Sequence, residues 1–182
     1  MKKLITSFVL IVVIQLSVSI NFGVCQWEQC EGPYGGKVNA FAVNENTIFA
    51  ATTNYNSFSS SGGVYLSTNS GQSWTQTTLN NQRIWSLAIS GNNIFAGTDM
   101  YGVYLSTNNG QSWTQTTLNN RQVISLAING NNIFAGTDYG VFLSTNNGTT
   151  WTQTSLNNQD VYSLAISGNN IFAGTAGDGI YL

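Results

Sequence analysis

Apolar residues along this chain fall in short runs, and each run is cut by Asn, Gly, Ser or Thr before two helical turns could form. Residues 123–128 (VISLAI) are followed by Asn129-Gly130-Asn131 and then by 133–137 (IFAGT). After Asp138-Tyr139 come 141–145 (VFLST), the turn Asn146-Asn147-Gly148, and 150–154 (TWTQT). The pattern predicts four strands joined through tight turns, because Asn and Gly tolerate the positive φ that matches strand twist. The first run is apolar at both alternating sets of positions, which predicts burial on both of its faces.

The same text recurs. Residues 102–137 read GVYLSTNNGQSWTQTTLNNRQVISLAINGNNIFAGT, residues 140–175 read GVFLSTNNGTTWTQTSLNNQDVYSLAISGNNIFAGT, and another copy begins at Gly63. Trp74, Trp113 and Trp151 are spaced 39 and 38 residues apart, the difference being Met100 in GTDMYG against GTDYG. A degenerate first copy runs from Trp27 through 38–43 and 48–52 and carries an inserted loop at 54–61 (NYNSFSSS). The units are expected at about 27–73, 74–112, 113–150 and 151–182 of one domain spanning 26–182. Four strands per unit of this length predict an all-β fold, a β-propeller of four-stranded antiparallel blades. A β-solenoid is the alternative, although its coils are usually shorter and would not need two tight hairpins each. The last copy reaches Gly179-Ile180-Tyr181-Leu182, where the others continue into Ser-Thr-Asn. Either the Trp27 strand completes a closed four-bladed ring, or the chain is a fragment of a larger propeller, which is the expectation.

Between third and fourth strands stands Ser67-Thr68-Asn69-Ser70-Gly71-Gln72-Ser73-Trp74. It recurs with Ser106, Asn108, Gly110 and Trp113, and with Ser144, Asn146, Gly148 and Trp151. This resembles the Asp-box, or BNR repeat, Ser-x-Asp-x-Gly-x-x-Trp, of sialidase-like propellers, sortilin-type receptors and photosystem II assembly factor propellers. All three copies here carry Asn where the family prefers Asp, which keeps an acceptor and loses a charge. The resemblance implies a structural staple on the face away from any ligand: Gly takes the turn, Ser and the Asx side chain accept backbone N–H groups, and Trp folds beneath.

Composition narrows the chemistry. The 182 residues hold only 5 Lys+Arg and 7 Asp+Glu and no His, so charged residues make up 7%, against roughly 25% in ordinary soluble domains. The sequence therefore excludes His-based acid/base work, and its few cations do not make a nucleic-acid surface. The resemblance to sialidases implies three arginines, a Tyr/Glu pair and an Asp acid/base, whereas this chain has two arginines, Arg83 and Arg121. A generic glycosidase needs two carboxylates in distinct environments; Asp99 and Asp138 are copies of one loop position and are expected to share one environment. No catalytic residue, cofactor or metal site is assigned. The sequon Asn147-Gly148-Thr149 lies inside a motif turn and reads as a by-product of the repeat.

What remains is binding. In a propeller, loops from strand two to three and from strand four to the next blade share one face. That face would gather Tyr55, Phe58, Arg83, Asp99, Tyr101, Arg121, Asp138, Tyr139, Asp160 and Asp178, and aromatic rings among amides suit protein or glycan ligands. At the other end of the molecule, Lys2 and Lys3 precede the uncharged stretch 4–18 (LITSFVLIVVIQLSV). This is the pattern of a secretory signal peptide, expected at 1–25 with cleavage after Cys25 or, less favoured, after Ser19. The protein is then expected to be secreted, periplasmic or at the cell surface, with membrane contact only during export. Cys25 also fits a lipidation site poorly, since Val24 precedes it. Cys30 is a lone thiol if Cys25 leaves and could join it in a small disulfide loop if it stays.

Overall fold

The computed structural model describes residues 28–33, 36–54 and 62–182. Fifteen strands and no helix occur among them. The first sheet comprises β1 (Lys37–Asn44), β2 (Thr47–Thr53), β3 (Gly62–Ser67) and β4 (Thr75–Asn80). The second comprises β5 (Ile84–Ser90), β6 (Asn93–Thr98), β7 (Val103–Ser106) and β8 (Thr114–Gln115). The third comprises β9 (Val123–Asn129), β10 (Asn132–Thr137), β11 (Gly140–Ser144) and β12 (Thr152–Asn157). The fourth, β13 (Val161–Ser167), β14 (Asn170–Thr175) and β15 (Ile180–Tyr181), has three strands. Each sheet is an antiparallel meander in chain order. Successive sheets pack face to face, their first strands β1, β5, β9 and β13 lying side by side along one rim. This is a propeller arc of four blades, and the fourth blade forms no comparable seam with the first.

The hairpin turns follow from residue type. Between first and second strands, Gly91, Gly130 and Gly168 take φ of 57–61° at the first turn position, so these turns are Gly-Asn rather than the Asn-Gly pairs that the sequence pattern suggests. In the first blade Glu45 occupies that position at φ 51°. A side chain with a Cβ costs about 1–2 kcal/mol in this region. The equivalent Gly91 has no neighbour within 4 Å of where a Cβ would lie, so space is not at issue. Glu45→Gly is expected to stabilise the chain by about 0.5–1 kcal/mol, less than the full strain because glycine loses more freedom on folding. A lowered denaturation midpoint would overturn this expectation.

Burial departs from the sequence expectation in one respect. The first strand is not buried along the whole of both faces in any blade: in β9 every position from Ile124 to Ile128 is only partly covered, and in β13 most positions are exposed. The second strand is the buried one, with Ile94, Phe95, Ala96, Gly97 and Thr98 of β6 all inaccessible. The reason is position: the second strand has hydrogen-bonded neighbours on both edges and blades on both faces, while the first strand turns one edge toward the rim.

Within each blade, alternate side chains point to the preceding or the following blade. Phe49, Val64 and Leu79 of the first blade meet Ile84, Leu87 and Ile94 of the second. Phe95, Val103 and Leu118 of the second meet Val123 and Ile133 of the third. Phe134 and Val141 of the third meet Val161 of the fourth, with Ile171 packed against them. Each blade thus has a forward face led by Phe and Val and a backward face led by branched aliphatics, joined by Trp113 in the first seam and Trp151 in the second.

Candidate functional site

The meander puts two kinds of turn at opposite ends of each blade. At one end lie the hairpins that resemble Asp-boxes. In the second blade Ser106 Oγ accepts the Gly110 N–H at 2.9 Å and donates to Asn108 Oδ1 at 3.0 Å. Asn108 Oδ1 also accepts the Ser112 N–H at 2.9 Å, while its Nδ2 donates to Ser112 Oγ. The same bonds recur around Ser67 and Asn69, with Gly71, and around Ser144 and Asn146, with Gly148. Trp74 and Trp151 donate their indole N–H to the Gly71 and Gly148 carbonyls at 3.1 Å; Trp113 Nε1 has no partner among the described residues. The glycine also has a task between blades. A Cβ on Gly148 would overlap the ring of Phe95, and one on Gly110 would lie 3.0 Å from Phe49 Cε1. The oxygen of each Asn side chain accepts two hydrogen bonds within the turn and its Nδ2 donates one there.

The opposite end is built from the strand-two-to-three loops and the inter-blade connections. Backbone bonds tie them together: Asp99 N to Arg83 O at 3.0 Å, Gly102 N to Arg121 O at 2.9 Å, Gly140 N to Gln159 O at 2.7 Å, and Ala176 N to Asp160 O at 3.0 Å. Buried Thr98 and Thr137 pin the loop tips, Thr98 Oγ1 donating to Gly102 O and accepting the Tyr101 N–H, both at 2.9 Å. Thr137 Oγ1 does the same for Gly140 O and the Tyr139 N–H. These pinned tips hold Tyr101 51% and Tyr139 42% exposed. Arg121 lies over the Tyr139 ring, 4.8 Å from its centroid. Asp138, Asp160 and Asp178 are exposed loop residues. Tyr55 and Phe58 fall outside the described residues, as do Trp27, Cys25 and the whole stretch 1–25. At the other end, Glu31 forms a parallel bridge with Ser73 of the first motif hairpin, which puts this part of the N-terminal segment beside the first blade. Cys30 is exposed and has no disulfide partner among the described residues.

Asp99 and Asp138 do not share one environment, contrary to the reading of the repeat. Asp99 Oδ1 accepts Trp85 Nε1 at 2.9 Å and Gln122 Nε2 at 2.7 Å, and Oδ2 lies 3.4 Å from Arg83 Nη1. Asp138 makes no side-chain hydrogen bond or ion pair among the described residues. The difference comes from the residues that open the first strands: Arg83 and Trp85 in the second blade, Gln122 and Ile124 in the third, Asp160 and Tyr162 in the fourth. Asp99 is therefore a clasp between the second and third blades. The Arg83 contact adds little, since both partners are partly solvated; the two neutral donors to one carboxylate oxygen are the stronger tie.

Sequence reasoning missed Trp85, Gln122 and Tyr162. A signal for them was present, because the otherwise near-identical copies differ most at these positions. Each first strand carries a register shift here, between Ile84 and Ser86 in β5 and between Val161 and Ser163 in β13, so the residue at the bulge is turned out of the alternation. Tyr162 is 56% exposed. Lys37 Nζ stands 5.7 Å from the centroid of Trp85. Tyr104, in the neighbouring seam, has its phenol pushed up by burial and by the Tyr101 phenol, and stays neutral. An open groove of about 300 Å³ lies elsewhere, between third and fourth blades, lined by Phe134, Val141, Leu156, Ile171 and Leu182. Among the described residues no group of three or more His, Cys, Asp or Glu stands close enough to hold a metal ion, and no helix is long and apolar enough to cross a membrane.

No protein-family model matches the sequence, and no curated protein matches it. Solved structures do. An ancestral GH74 enzyme aligns with a TM-score of 0.68 at 26% identity over 82% of this chain and 23% of its own. The extracellular domain of the putative one-component system BT4673 from B. thetaiotaomicron aligns with 0.69 at 24% over 85% and 22%. YCF48 bound to D1 peptide aligns with 0.64 at 16% over 82% and 50%. The chain thus spans between about a fifth and a half of the length of these neighbours. They establish the β-propeller fold, and they include an enzyme, a protein bound to a peptide and an extracellular domain.

Proposed function

We propose that this chain is an exported, non-catalytic binding module that recognises protein or carbohydrate through the face carrying Tyr101, Tyr139, Tyr162 and Arg121. The observation that carries this reading is the set of exposed rings held at fixed places by buried threonines and strand bulges. A rigid ring loses little freedom on binding and offers a flat apolar face, while neighbouring amides supply directional hydrogen bonds. YCF48, a propeller of which this arc covers half, holds a peptide, and BT4673 contributes an extracellular domain, which supports both recognition and export. The GH74 likeness keeps a hydrolase as the second reading. Against it, Asp99, the carboxylate held most firmly on this face, is committed to Trp85 and Gln122.

The test is a glycan array and a protein pull-down with the full chain and the triple variant Tyr101→Ala, Tyr139→Ala, Tyr162→Ala. A drop of at least about tenfold in affinity is expected, since aromatic anchors usually exceed 1 kcal/mol each. Wild-type behaviour of the variant in every positive assay would remove the proposal. Turnover of glycosides that depends on Arg83 or Arg121 would replace it with the hydrolase reading.

A further inference from the structure

Three asparagines of this chain are followed by glycine: Asn109, Asn129 and Asn147. Such a pair is open to attack of the following backbone nitrogen on the side-chain amide, because glycine has no Cβ to hinder the approach and its backbone turns freely. The fold treats the three pairs unequally. Gly110 and Gly148 are buried, and each donates its N–H to a serine hydroxyl, Ser106 or Ser144, at 2.9 Å. Both glycines also lie against a buried ring of the preceding blade, Phe49 or Phe95. Asn129 and Gly130 stand instead at the tip of the β9–β10 hairpin, both exposed. The Gly130 N–H has no hydrogen bond among the described residues, and no atom lies within 4 Å of where a Cβ on Gly130 would be. The Asn129 side chain is held by one exposed bond, from Nδ2 to Gly168 O of the fourth blade at 3.0 Å. At the equivalent positions of the other blades stand Asn44, Ser90 and Ser167. Asn44 makes the same kind of bond, to Gly91 O at 3.3 Å, but precedes Glu45, and the serines carry no amide.

We propose that Asn129 is a site of spontaneous deamidation, and that its product weakens the tie between the third and fourth blades. The Gly130 nitrogen attacks Asn129 Cγ and a C–N bond forms. The side-chain nitrogen leaves as ammonia, carrying the proton that the backbone nitrogen gives up. Water then opens the cyclic imide at either carbonyl to give aspartate or isoaspartate, and nothing is oxidised or reduced. Either product replaces the donor facing Gly168 O by a carboxylate, which that carbonyl repels. Isoaspartate also adds a carbon to the main chain where Asn129 pairs with Asn132. At Asn109 and Asn147 the same attack must first free the glycine nitrogen from its serine and lift the hairpin off a buried ring, a local opening that costs free energy.

Peptide mapping by mass spectrometry of the full chain, incubated folded at mildly alkaline pH, tests this, with isoaspartate counted by enzymatic methylation. Asn129 is expected to convert at least about tenfold faster than Asn109 or Asn147. In the chain unfolded by denaturant the three sites should react at comparable rates. Asn129→Ser, which installs the residue of the second and fourth blades, should keep the circular dichroism of wild type and remove most of the ammonia that the folded chain releases. The deamidated chain, separated by its added negative charge, should unfold at a lower denaturant concentration than its parent. Equal rates at the three sites of the folded chain, or faster conversion at Asn109 or Asn147, overturn the inference. So does a folded chain in which none of the three converts while the unfolded chain reacts, and so does unchanged ammonia release from Asn129→Ser. A product with the parent's unfolding midpoint overturns the weakening of the blade tie.

Discussion

Replacing Gly102 with alanine should destabilise the chain by about 3–5 kcal/mol, a large part of the 5–15 kcal/mol typical of a whole domain. Gly102 closes the loop between β6 and β7 at φ +68°, and a Cβ there would overlap the Leu118 carbonyl oxygen and lie 2.8 Å from Asn119 N. Neither obstacle is a side chain that can swing away. The Leu118 carbonyl accepts the Val103 N–H at 2.8 Å, and Gly102 itself donates to Arg121 O and accepts from Thr98. Relief of the overlap must move backbone and break these bonds, which adds to the cost of the left-handed conformation. Gly91→Ala is the control: φ is +57° and no atom lies within 4 Å of the added carbon, so only about 1 kcal/mol should be lost. Equal losses for both variants, from chemical denaturation, would show that the loop is not seated against Leu118.

Phe95→Ala should cost about 3–5 kcal/mol by removing a fully buried ring from the second seam. The ring is 0% exposed and shares a cluster with Val103, Leu118, Val123 and Ile133. Gly148, the turn glycine of the next blade, lies directly against it. The cavity would therefore open between blades rather than inside one, where little backbone can collapse into it. Tyr101→Ala, at a half-exposed position on the loop face, should stay within about 0.5 kcal/mol. A Phe95→Ala loss below about 1 kcal/mol would mean that the blades are not coupled through this seam.

Much of the fold was legible because strand alternation and turn chemistry are local. The runs at 133–137 and 141–145 become β10 and β11 almost residue for residue, and Asn109 and Asn147 take the positive φ that their motif turns require. Burial was less legible. VISLAI looks buried on both sides, yet IFAGT of the second strand is the better covered, since composition reports how apolar a strand is and not how many neighbours it has. The loop face was legible as a list of positions; its clasp was not. Asp99 meets Gln122 across 23 residues, and only the stacking of one blade on the next brings that amide within 2.7 Å.

The repeat text is enough to define strands, hairpins and the all-β blade, because each of these rests on residues within one unit and copying a unit copies its local physics. It equally explains the low charge, an Asn/Ser/Thr/Gly unit written several times over. Assignment of side chains to forward and backward faces came from packing, as did the difference between Asp99 and Asp138 and the unequal exposure of Phe41 and Leu87. These properties depend on which sheet lies opposite, a non-local quantity that nearly identical units share in sequence and divide in space.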